Sequence, residues 1–258
     1  QDFFVCYLRH LSEIKSRQQR EEGLAYFCGY LNHYIGDSIC HPYVYGRIGY
    51  DAKAPNSQAH GRHAALENDI DAILLWKYKH KKPSQFNQAA TICLNGMETQ
   101  FISRFLAECI NEAYYPITYS NNFQVTPAMI HRSILALRFG CRTLADPKGS
   151  KRNKIAFVEK LVLKKPVASQ KLVTDEINNP REVLNIDHDI WCNPWDRRLA
   201  SKSSFPDLFR QCLHKSSNVY AIINSYLTGE LPSNRESMDR LLDELGSYSY
   251  HSGLFVPD

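Results

Sequence analysis

The feature that most constrains this chain is a helical run over residues 21–40 that is apolar almost all round, yet carries His33 and Asp37 near its end. Such a helix cannot lie on a surface and has to be wrapped by other elements, so it predicts a central, buried helix. In the text Leu31-Asn32-His33-Tyr34-Ile35-Gly36-Asp37-Ser38-Ile39-Cys40-His41-Pro42-Tyr43, the residues His33, Asp37 and His41 fall at i, i+4 and i+8. Residues four apart stand one above the other on a helix, so His33 and Asp37 can share one ion. Burying an ionised Asp without a partner is costly, and a cation offsets that cost. Pro42 disfavours helical backbone at the residue before it, so His41 is expected where the helix ends or bends.

The rest of the pattern is also helical. Phe3, Phe4, Tyr7, Leu8, Leu11 and Ile14 repeat at helical spacing. A loop is expected over residues 45–61, then a helix from Arg62 into the basic cluster 77–82, stopped by Pro83. A further helix covers about residues 95–114, with Pro116 beyond it. Thr126 is an N-cap with Pro127 in the first turn, and Gly140 is the expected stop. Residues 148–153 read as a basic loop and 155–163 as a short strand or helix. Residues 205–227 are helical, and Ser233-Asn234-Arg235-Glu236 is a capping box for a last helix. No internal repeat or linker divides the chain. The expectation is a single all-α domain over residues 1–258, a helical bundle.

Composition narrows the class without naming a function. The 258 residues are 43% hydrophobic and 22% charged, which excludes disorder and low-complexity polymers. No stretch approaches the roughly 18 apolar residues of a membrane span. The formal charge of +4 is too small to argue for nucleic acid or a membrane surface. The eight Cys are scattered with no CxxC pair; Cys28, Cys40 and Cys109 lie in apolar helical contexts and point to free thiols rather than a disulfide framework. Gln1-Asp2-Phe3-Phe4 has neither an initiator Met nor the layout of a signal peptide, so a processed, truncated or partly observed product is expected.

A second ligand pair lies downstream in His-Gly-Arg-His-Ala-Ala-Leu-Glu, where His63 and Glu67 are again i, i+4. Imidazole and carboxylate are the ligand types of catalytic zinc, and paired metals can clamp a phosphoryl group. Any one such pair is also an ordinary surface or capping interaction. Five candidate ligands within 35 residues make the metal reading as good as the ordinary one, and spacing alone does not separate them.

The run GYLNHYIGDSICHPY followed by His-x-x-x-Glu resembles the bacterial zinc-dependent phospholipase C family, of the same superfamily as the single-strand-specific P1 and S1 nucleases. NIDHDIWCNPWD and SYSYHSGL resemble the tail of its uncharacterised Firmicutes branch, so the resemblance spans the whole chain. It implies an all-α fold of the phospholipase C / P1 nuclease type around up to three Zn2+ ions. His33 and Asp37 would match the pair on the central helix, with Asp37 bridging two zincs. His41, His63 and Glu67 would complete one zinc site; His60 fits the motif less well than His63. The implied chemistry is attack of a zinc-activated water on a phosphodiester phosphorus. The family's further ligands and its general base come from an upstream region, and they are expected in a segment ahead of residue 1. His10 matches none of them.

The implied substrate is a phospholipid headgroup phosphodiester, with peripheral membrane-surface contact and no stable nucleic-acid partner. A single-strand nuclease and a non-catalytic zinc-stabilised relative are the alternatives. The aromatics Tyr26, Phe27, Tyr30, Tyr34, Tyr43 and Tyr45 are expected in the core ahead of a choline or base-stacking pocket. Residues 77–82 and 148–154 are expected as solvated basic faces, and Trp191, Pro194 and Trp195 as an aromatic plug. The cytoplasm is favoured over secretion.

Overall fold

The computed structural model describes residues 2–54, 57–115, 123–162, 168–230 and 235–257. The opening apolar repeat forms α1 (Asp2–Glu13), which buries Phe3, Phe4, Tyr7, Leu8 and Leu11 on one face. Ser16 then caps the long central helix α2 (Arg17–Arg47) by accepting from the Gln19 N–H. The remaining helices are α3 (Ser57–Lys79), α4 (Gly96–Tyr114), α5 (Pro127–Thr143), α6 (Ser150–Val162), α7 (Pro180–Val183), α8 (Phe205–Leu227) and α9 (Arg235–Leu245). Among the described residues the only sheet is the antiparallel pair β1 (Trp191–Cys192) and β2 (Ala200–Ser201). The protein is all-α.

Two hydrophobic cores share α2. The first joins α1, α2, α4, α8 and α9 through Tyr7, Leu11, Phe27, Leu31, Ile35, Ile102, Val219, Ile223, Leu241 and Leu245. The second lies further along α2 and packs Tyr43 and Val44 against Ile70, Ile73, Leu184, Trp191, Phe205 and Leu208. Ile39 and Cys40 touch both. Phe27, Tyr34, Tyr43 and Tyr45 are buried as expected, while Tyr26 stands partly out. Gly46 lets α2 approach β1, since a Cβ there would lie 2.8 Å from the Cys192 carbonyl oxygen.

Several helix boundaries differ from the sequence expectation. α2 does not end or bend at His41 but continues through Pro42 to Arg47. Pro42, Tyr43, Val44 and Tyr45 are all buried, so packing on both sides holds the helix where the local preference would break it. The loop after it is correspondingly shorter. Gly140 lies inside α5, which reaches Thr143. Ser150 to Asn153, expected as loop, already belongs to α6. Asn95 caps α4 through a reciprocal capping box with Glu98, and Ser204 does the same for α8 with Asp207. Ser233, Asn234 and Pro116 lie outside the described residues, as does the end of the 155–163 stretch. All eight cysteines are free, and the Cys40 and Cys212 thiols lie 3.7 Å apart between α2 and α8.

After α9 the chain forms a small hairpin loop. Ser249 N–H donates to the Leu254 carbonyl at 2.9 Å and Val256 N–H to the Ser247 carbonyl at 2.7 Å. The Tyr34 hydroxyl anchors its base, donating to the Gly246 carbonyl at 2.7 Å and accepting from the Tyr248 N–H at 2.8 Å. Its far side is braced by Asn193, whose Nδ2 donates to the Ser252 carbonyl at 2.7 Å. The turn closes at Gly253, where φ is +61° and a Cβ would lie 2.5 Å from the Ser38 carbonyl oxygen and 2.8 Å from Pro42 Cγ. Gly253→Ala combines a left-handed backbone with a clash, so it is expected to cost about 1–3 kcal/mol. Thermal unfolding checks this, and a midpoint within a degree of wild type would refute the tight seating of the loop on α2.

Candidate metal centre

The second turn of α3 brings His63 and Glu67 to the polar stripe of α2. His63 Nε2 lies 2.9 Å from Glu67 Oε1, and His41 Nε2 lies 3.2 Å from the same oxygen. The three donors of His41, His63 and Glu67 all fall within 4.8 Å of one another. Around a tetrahedral ion bonded at about 2.0–2.1 Å, neighbouring donors sit roughly 3.3 Å apart, so this set closes on a zinc with little movement. It is half-buried: the His side chains are 12% and 15% exposed and Glu67 is 41% exposed. The open side leaves room for a further ligand.

His41 is oriented from behind. Its Nδ1–H donates to the Tyr250 carbonyl at 2.5 Å, which directs Nε2 to the centre. A ligating imidazole with its other nitrogen tied to a carbonyl is the usual arrangement at zinc. His63 lacks the equivalent, its Nδ1 being buried without a partner among the described residues.

Asp37 and His33 stand at the edge. His41 Nε2 is 3.9 Å from Asp37 Oδ1, and His33 Nε2 is 3.4 Å from Asp37 Oδ2. The His33 side chain is 64% exposed, so the structure does not gather it with the three convergent donors. Burial raises the Asp37 carboxyl against the pull of His41 and His33. Burial acts the same way on Glu67 but is outweighed by its bonds to His41 and His63, which bring it to about 2. Burial would lower His41, yet Glu67, Asp37 and the Tyr250 carbonyl together hold it above its ordinary value. A carboxylate kept ionised between two imidazoles is the charge pattern that a divalent cation needs.

The other histidines separate cleanly. His10 pairs with Glu112 at 2.7 Å, beside Arg9 on the same carboxylate, and is a structural contact between α1 and α4. His60 is exposed. Tyr45 packs its ring on His63, Trp195 and Tyr50, at centroid distances of 4.6, 4.9 and 4.9 Å. Trp195 thus braces the centre, whereas Trp191 belongs to the second core. Sequence reasoning missed His251. It is a ring neighbour of His41, and no spacing signal links residues 210 apart.

Two cavities bear on the site. One of about 490 Å³ is walled by Phe3, Phe4, Tyr30, Tyr34, Tyr114 and Tyr248, and reaches Tyr250 and His251 beside the centre. The larger, about 700 Å³, lies on another side of α3 and holds none of the donors. Asp71 opens into it, with its carboxyl pushed up to about 6 by the surrounding protein and then by Glu67. A carboxyl raised above its unfolded value of about 3.9 weakens the fold at neutral pH, and the penalty fades as pH falls from about 6 to 4. Asp71→Asn is therefore expected to add up to about 1 kcal/mol at pH 7, after solvent screening, and nothing at pH 4. Denaturant titrations at the two pH values check it; an equal effect at both would refute it.

Comparison with known proteins agrees with this geometry. No curated protein and no solved structure matches the chain. Residues 2–115 match the family model described as zinc dependent phospholipase C. That segment contains α1 to α4 and with them His33, Asp37, His41, His63 and Glu67. Over this segment, which carries the convergent His-His-Glu donor set on an all-α scaffold, the chain is similar to the zinc-dependent phospholipase C family.

Proposed function

We propose that the protein is a zinc-dependent hydrolase of phospholipid headgroup phosphodiesters. The observation that carries the reading is the convergence of His41, His63 and Glu67 within the matched segment. Zinc bound there supplies Lewis acidity toward the phosphoryl oxygens and an activated water. The chain's own residues divide the remaining work. Glu67 and the two imidazoles hold the cation, the Tyr250 carbonyl sets the His41 tautomer, and Asp37 with His33 offers carboxylate and imidazole for a neighbouring ion. The aromatic cavity of about 490 Å³ adjoins the centre and suits a cationic or apolar part of a substrate.

The whole chain, residues 1–258, acts as one domain in this reading, because Tyr250 and Asn193 support the centre from outside the matched segment. Free thiols favour the cytoplasm as its location, ahead of secretion. Contact with lipid at the membrane surface is part of this proposal; no helix among the described residues is long and apolar enough to cross a membrane. The test is release of phosphorylated headgroup and diacylglycerol from phospholipid vesicles, abolished by a chelator and restored by zinc. Full activity in the chelated protein would overturn the reading. Cleavage of single-stranded DNA, without lipid hydrolysis, would move it to the nuclease branch.

A further inference from the structure

The C-terminal hairpin loop carries a second imidazole to the metal centre, and its hydrogen bonding is the reverse of that of His41. The His251 ring lies nearly parallel to His41, at 14° and 5.9 Å between centroids. Its Nδ1 is 3.2 Å from the Tyr45 hydroxyl. Tyr45 is buried, and among the described residues its hydroxyl has no other hydrogen-bond partner. We take the Tyr45 O–H as the donor, because His251 Nδ1 is the acceptor it meets among the described residues. That bond places the proton of the neutral ring on Nε2. At His41 the order is opposite: Nδ1–H donates to the Tyr250 carbonyl, and Nε2 faces the metal donors. Neighbouring rings are thus set by the fold as one ligand and one donor.

His251 is exposed and does not belong to the group of three convergent donors. It also borders the aromatic cavity beside the centre. We propose that His251 binds the substrate's phosphate, donating from Nε2–H to a phosphoryl oxygen at the mouth of the metal centre, with Tyr45 as the residue that positions it. The inference rests on the phosphodiesterase reading above, and it assigns a function to a residue 136 positions beyond the matched segment, which ends at 115. A hydrogen bond to a charged oxygen is worth roughly tenfold in affinity.

The experiment uses the full chain loaded with zinc and inorganic phosphate as the probe. Zinc per chain is measured by elemental analysis and phosphate affinity by calorimetry, for wild type, His251→Ala and Tyr45→Phe. The expected result is unchanged zinc content in all three. Phosphate binding should weaken about 10-fold in His251→Ala and more modestly in Tyr45→Phe, where the ring keeps its packing but loses the O–H. Loss of zinc in His251→Ala would overturn the proposal by making the residue a ligand. Retained zinc with unchanged phosphate affinity would overturn it and leave the metal centre standing. A wild-type chain that holds no zinc would instead remove the metal-centre reading and this proposal together.

Discussion

Glu67→Ala is expected to reduce zinc affinity by at least about 100-fold, beyond the 10–100-fold typical of changes outside the ligand shell. The reason is that one oxygen serves the whole arrangement. Oε1 of Glu67 sits 3.2 Å from His41 Nε2 and 2.9 Å from His63 Nε2, so its removal leaves two facing imidazoles with no negative charge between them. Glu67→Gln keeps the shape and removes the charge, and is expected to fall nearly as far, because the cation's partner is the carboxylate. His33→Ala should cost much less, since that ring stands largely in solvent and away from the three donors. Competition with a chelator of known affinity measures all three. Equal losses for His33 and Glu67 would mean that His33 is a ligand of the same ion, against the separation of its ring from the three donors.

Leu31→Ala is expected to destabilise the fold by about 2–5 kcal/mol. Leu31 is fully buried in the first core, on the turn of α2 just before His33. Its neighbours come from several helices, so the space it leaves cannot be closed by moving one of them. Equilibrium unfolding in denaturant checks the value, with an unchanged slope showing that the native state keeps its compactness. A loss below about 1 kcal/mol would show that the core collapses around the gap.

The parts of this structure legible in the sequence were those decided by neighbours along the chain. The helices expected over residues 95–114 and 205–227 begin where the structure shows local caps, Asn95 with Glu98 and Ser204 with Asp207, which the sequence reading had not singled out. The i, i+4 spacings of His33 with Asp37 and His63 with Glu67 follow directly from helix geometry. Pro42 and Gly140 misled because their local cost is set against packing: Pro42 is buried inside α2, against Gly253 of the hairpin loop, and α5 continues for three residues past Gly140. That His41 rather than His33 joins Glu67 was not legible in spacing, because it depends on how α3 lies across α2. The Tyr250 carbonyl and the His251 ring were beyond reach for the same reason, as both arrive through the folding of the chain rather than through any local motif.

Because α2 is a single unbroken rod seated in both cores, the centre it carries is a gauge of the folding of each. A cation that binds only when His41 meets Glu67 adds RT ln(1 + [Zn]/Kd) to the stability of the assembled state. Any substitution that loosens either core has to draw on that same free energy. Remote variants such as Leu31→Ala would then weaken zinc retention without touching a ligand, and zinc in the medium would partly rescue them.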